Sequence, residues 1–183
     1  ATGDGSDADA GDGTCATAGD DCTLRAALQE TNALTNASAG PDEIRFDISG
    51  AGPHTIVPQS GLPNVTDPVV IDGSTEPDFA GDPVVAIDGS TLSPGTTLLS
   101  LEIGSDGSSV RDLSLFNSPS IALFVRTDNN IVDGCWIGLT PNGTVAGNTS
   151  WGLRTFGSSN QIGDPNGRGN VIVDGGTGIG LAN

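Results

Sequence analysis

Carboxylates are the reactive groups this chain holds in quantity. Twenty-three acidic residues face six basic ones; 19 of the acids are Asp, all six bases are Arg, and the formal net charge is −17. Asp112, Asp128, Asp133 and Asp174 lie in or beside turn-like stretches, and a pair of such carboxyls about 5–9.5 Å apart is what glycoside hydrolysis requires. Lyase chemistry on a uronate needs, in addition to a base, a cation to neutralise the substrate carboxylate. The six arginines, Arg25, Arg45, Arg111, Arg126, Arg154 and Arg168, are scattered, and no Lys joins them. The single histidine, His54, opens the phrase PHTIV and reads as a surface or turn residue. No G-x-S-x-G, H-E-x-x-H or P-loop motif occurs, so the residues assign no catalytic group.

A second acidic constellation sits at the start of the chain. Asp4, Asp7, Asp9 and Asp12 fall close together beside Gly11 and Gly13. Calcium takes six to eight oxygen ligands, and alternating Asp and small residues in a tight loop supply several. Asp7, Asp9 and Asp12 are therefore the candidate calcium ligands, against the plainer reading of a solvated acidic terminus. The EF-hand's bidentate Glu at the required distance is missing.

The remaining special residues divide the same way. Cys15 and Cys22 fit neither zinc spacings nor C-x-x-C redox chemistry, and in so acidic and loop-rich a chain they read as a disulfide in an oxidising compartment, with two free thiols as the alternative. Cys135 reads as a small buried residue. Trp136 and Trp151 fill corners of a core or stack on sugar, and Phe116, Phe124 and Phe156 suit a short aromatic stack. Four sequons, at Asn36, Asn64, Asn142 and Asn148, lie in predicted loops and permit glycosylation.

The charge also excludes partners. A surface this negative repels phosphate backbones and anionic leaflets, which leaves cations, neutral glycans and basic proteins and argues against nucleic acid. No apolar run approaches the roughly 18–20 residues of a membrane span. The polar first residues read as a mature chain whose leader, if any, has been removed.

The elements that must position these groups are short strands. Twenty-eight glycines and 11 prolines make about a fifth of the 183 residues, a fraction compatible with disorder. The apolar residues nevertheless gather in β-branched blocks such as PVVIDG, PVVAIDG, NIVDG and NVIVDG, punctuated by turn residues. One helical period stands apart. In residues 22–34 it places Leu24, Ala27, Leu28 and Thr31 on one face, behind the N-cap candidate Thr23 and the dipole-favouring Asp20 and Asp21. An aliphatic-Asp-Gly phrase recurs at Asp72, Asp88, Asp133 and Asp174, at unequal separations that fit no single coil length. Those Asp residues therefore read as turn formers rather than one stacked column. In a second phrase, Asn130 and Asn160 precede aliphatic strand starts.

Segments that repeat strand and turn bury a face only by stacking on their neighbours. Adjacent aliphatics in very short blocks favour parallel strands over the longer alternating strands of a sandwich. We therefore expect an all-β, right-handed parallel β-helix. Residues 1–43 form an acidic segment, disulfide loop and capping helix, and residues 44–183 form five or six coils of about 24 residues each.

The stretch Asp7 to Cys15, then CTLRAALQETNAL and PDEIRF, resembles the CSLREA-type N-terminal domain of secreted bacterial and archaeal surface proteins. The phrases NNIVDGCWIGLTPNGTVAGN and SSNQIGDPNGRGNVIVDG resemble the right-handed β-helix repeats that commonly follow it. The resemblance implies a Cys15–Cys22 disulfide and a helix that plugs the N-terminal end of the solenoid. Ala26 stands where the family motif often has Glu, which implies that a capping-box contact is absent.

The functional expectation is an extracellular or cell-surface structural or adhesive module. The final GIGLAN reads as the first strand of a new coil, so the partner is either the remainder of a longer protein or a second copy stacked head to tail into a filament. Cations neutralise the acid surface, and glycans remain candidate ligands. The alternative is a polysaccharide lyase or glycoside hydrolase, which fold alone does not establish.

Overall fold

The structure, a computed structural model, describes residues 1–36, 40–164, 168–173 and 175–181. Among the described residues, one α-helix precedes fourteen strands. Helix α1 is Leu24–Ala33; the strands are β1 (Asp42–Arg45), β2 (His54–Ile56), β3 (Val69–Asp72), β4 (Val85–Asp88), β5 (Leu99–Leu101), β6 (Ser109–Arg111), β7 (Leu113–Phe116), β8 (Ile121–Val125), β9 (Ile131–Asp133), β10 (Trp136–Ile137), β11 (Asn148–Thr155), β12 (Gln161–Ile162), β13 (Val171–Ile172) and β14 (Gly175–Leu181). All strand pairs in the three sheets are parallel, in the orders β1-β3-β6-β9-β12, β13-β10-β7-β4-β2 and β14-β11-β8-β5. The chain is a parallel β-solenoid of about five turns.

Each sheet stacks like residue on like. Ile44, Ile71, Val110, Val132 and Ile162 align in one column; Ile56, Ile87, Leu115, Ile137 and Ile172 align in the next. Leu99, Leu123, Leu153 and Ile179 form the third. Apart from Ile179 at the exposed edge, these columns meet in one core made mainly of Val, Ile and Leu. The coils are unequal, however. Along the first column the step from Ile71 to Val110 is the longest and the next, from Val110 to Val132, is the shortest, because loops of different length leave the solenoid between strands. No uniform coil length therefore describes it.

Polar ladders hold the corners. Oδ1 of Asn130 accepts the Ser108 N–H at 3.0 Å, and Oδ1 of Asn160 accepts the Asn130 N–H at 2.8 Å. Oδ1 of Asn170 accepts the Cys135 N–H at 2.9 Å. Each amide satisfies backbone groups that no strand pairs at the corner, as buried polar groups require. This is the physical content of the recurring Asn before an aliphatic strand start.

The first coil is closed by α1. Thr23 caps it, its Oγ1 accepting the Ala26 N–H at 3.1 Å, and with Ala at that position no reciprocal carboxylate contact forms. Leu24, Ala27, Leu28 and Thr31 are all buried, and the first three join the solenoid core. Arg25 is buried too. It pairs with Asp4 at 2.9 Å and donates to the carbonyls of Gly61 and Ser60. Glu30 accepts the Gly11 and Gly13 N–H groups, both at 2.5 Å. The acidic segment is thus fastened to the helix and, through Arg25 and the Asp4 contact to the Gln59 N–H, to the first coil. Cys15 and Cys22 form the disulfide.

Candidate functional site

The carboxylates on strands β3 and β9 and in the turn after β6 come together with Arg111 of β6 at one edge of the first sheet. Strand register places Arg45, Asp72, Arg111 and Asp133 in a single column of alternating charge. Two of the four Asp-Gly phrases therefore do share a column, separated by an arginine, while Asp88 belongs to the second sheet. The unequal coils hid this relation from the sequence spacing. Arg111 Nε lies 3.3 Å from Oδ1 of Asp133.

Asp112 lies behind this column, between β6 and β7. It is 6 % exposed and has φ +53°, a left-handed conformation that lets the chain turn sharply from one sheet to the next. One carboxylate oxygen, Oδ2, is 3.1 Å from Nη2 of Arg168. Arg168 also donates to the Gly81 carbonyl at 2.6 Å and lies over the Phe79 ring at 4.6 Å. The other oxygen, Oδ1, is buried without a hydrogen-bond partner. Burial raises the Asp112 pKa from 3.8 to about 6; Arg168 opposes the rise, while Asp72 and Asp133 add to it. Burial likewise raises that of Asp133 against the pull of Arg111. The corner can hold a proton on Asp112 next to a second carboxyl. Both Asp112 oxygens face inward, Oδ2 bonded to Arg168 and Oδ1, without a hydrogen bond, under the Asp133-Gly134 turn.

The other predicted residues fall elsewhere. Asp128 accepts the Ser158 N–H at 2.7 Å as part of a turn after β8; Asp174 lies outside the described residues. Asp7 accepts the Asp9 and Ala16 N–H groups, and Asp12 accepts that of Thr14. Asp7, Asp9 and Asp12 are not brought into one ligating group among the described residues; the carboxylates of Asp7 and Asp12 are directed at backbone amides. Phe124 and Phe156 stack with centroids 5.4 Å apart, whereas Phe116 sits on a different sheet. Arg154 lies over Trp151, Phe124 and Phe156, and Arg126 over Phe124. Trp136 is half-buried on β10. Cys135 is buried as expected, and burial pushes its thiol up to about 12.

Two readings require correction. Asn148 is not in an open loop: it opens β11, is buried, and accepts the Ser118 N–H at 2.8 Å, so its amide nitrogen is inaccessible to a glycan in the fold. Asn36 donates to Asp67 and Pro68, while Asn64 and Asn142 are exposed. His54 is not a surface residue either. It is 7 % exposed on β2, with Nε2 3.6 Å from Oε1 of Glu76. Glu76 and His54 belong to unequal coils, so no spacing in the chain announces their meeting.

No family model matches the chain, and neither a curated protein nor a solved structure was found to match it.

Proposed function

We propose that this chain is an extracellular or cell-surface structural and adhesive module that joins end to end through the edge of its fifth coil. The observation that carries this reading is a contrast within two columns. Leu153 is fully buried and Thr155 nearly so, yet their partners one coil on, Ile179 and Leu181, are 47 % and 76 % exposed. An apolar column that runs to an exposed strand edge is a surface for adding another coil, supplied by a second copy or by the remainder of a longer protein. Helix α1 covers the opposite end, so a copy arriving there meets the cap and its acidic loop. Tail-to-cap contact propagates a filament, and tail-to-tail contact closes a pair. The Cys15–Cys22 disulfide supports an oxidising, extracellular setting. Among the described residues no helix is long and apolar enough to cross a membrane. Sedimentation velocity over a range of concentrations tests the reading, with Leu181→Lys expected to return associated material to monomer.

A polysaccharide-active enzyme is the second reading, favoured by Asp112. A carboxyl raised to about 6 beside Asp133 has the value of a general acid near neutral pH. Incubation with acidic and neutral polysaccharides tests it: release of unsaturated or reducing ends that is lost in Asp112→Asn supports it, and silence across a broad panel removes it.

A further inference from the structure

Away from the carboxylate corner, one more set of ligating side chains converges. One donor atom each from His54, Glu76 and Asp78 lies within 4.8 Å of the other two. His54 opens β2 in the first coil. Glu76 ends the short 3-10 turn Gly73–Thr75 after β3, and Asp78 follows shortly after it, so the group spans two coils.

The details fit an ion better than a packed polar cluster. The His54 side chain is 8 % exposed and that of Glu76 2 %. Nε2 of His54 is buried and lacks a hydrogen-bond partner; at 3.6 Å, Oε1 of Glu76 is too far to serve as one. A buried polar atom left unpaired costs about 1–3 kcal/mol, a cost that a ligand at this point removes. The carboxylates are already oriented from behind. Oε2 of Glu76 accepts the Ile48 N–H at 2.9 Å, and Oδ2 of Asp78 accepts the Gly52 N–H at 2.6 Å. Outer hydrogen bonds of this kind hold metal-binding side chains in position. Asp78 is exposed, which gives the group an opening to solvent.

We propose that His54, Glu76 and Asp78 bind a divalent transition-metal ion of the zinc type. One imidazole nitrogen and two carboxylate oxygens, with a fourth position open to water, match zinc's preferred ligands and number. Calcium takes six to eight oxygens and has little use for the imidazole. The ion fastens β2 of the first coil to the loop after β3 of the second, independently of how the fifth coil joins.

The experiment titrates zinc chloride into the full chain after removal of metal with a chelator, followed by calorimetry and melting temperature. One equivalent is expected to bind and to raise the melting temperature. Cobalt(II) in its place is expected to give the visible spectrum of a low-coordinate site. Removing a ligand should weaken binding at least as much as loss of an outer partner does, roughly 10–100-fold, in both His54→Gln and Asp78→Asn. Asp78 is exposed, so Asp78→Asn tests the site even if His54→Gln fails to fold. Asp9→Ala with Asp12→Ala is expected to leave zinc binding unchanged. The proposal is overturned by absence of saturable one-equivalent binding, by Asp78→Asn binding as tightly as the wild type, or by loss of binding in the Asp9, Asp12 variant instead.

Discussion

Oδ1 of Asp112 occupies the space that a Cβ on Gly134 would fill. The two residues occupy successive turns of the solenoid, and each has a positive φ, +53° at Asp112 and +64° at Gly134. The buried carboxyl fits only because the chain above it has no side chain. The corner is therefore built around Asp112 rather than merely containing it.

Gly134→Ala is accordingly expected to destabilise the fold by about 3 kcal/mol, from the left-handed backbone and the clash together. Gly143→Ala supplies the comparison. Gly143 has φ +74° but no atom within 4 Å of its Cβ position, so only the backbone cost of about 1–2 kcal/mol remains. Denaturant unfolding of both variants measures the difference; equal losses would show that the Asp112 contact contributes nothing.

The titration of Asp112 sets a pH dependence. Its pKa is raised in the fold from 3.8 to about 6, so the native state holds its proton after the unfolded chain has released one. Stability should therefore fall as pH rises from about 3.8 to about 6 and level off above that window. Asp133, also raised by burial, acts in the same direction. Urea unfolding at several pH values is expected to show this decline, with a smaller slope in Asp112→Asn. A stability that climbs through the window, unaltered by Asp112→Asn, would contradict the assignment.

The disulfide acts on the cap. Cys15 and Cys22 are close in sequence, and closing so short a loop stabilises the fold by about 2.5 kcal/mol in the chain-entropy treatment. Cys15→Ser with Cys22→Ser is expected to lower the melting temperature while preserving the β-rich circular dichroism spectrum. The strands do not depend on the loop for their pairing; loss of that spectrum would show that they do.

Much of this architecture is legible in the sequence because its cause is local. Aliphatic blocks between turn residues, Asn130 and Asn160 before strand starts, and the buried face of residues 22–34 all carry short-range signals. The site is not, because its cause is register. Asp72, Arg111 and Asp133 share a column only through coils of unequal length, and any average period conceals that. His54 is harder still. A lone histidine reads as a surface residue until the fold sets Glu76 and Asp78 beside it, through loops whose paths no periodicity encodes.

The joining edge remains the centre of the functional proposal, and electron microscopy of the purified protein across a concentration series tests it most directly. Rods or paired particles that lengthen or multiply with concentration, and that disperse in Leu181→Lys, are the expected result. Single particles of one-chain size at every concentration would contradict it.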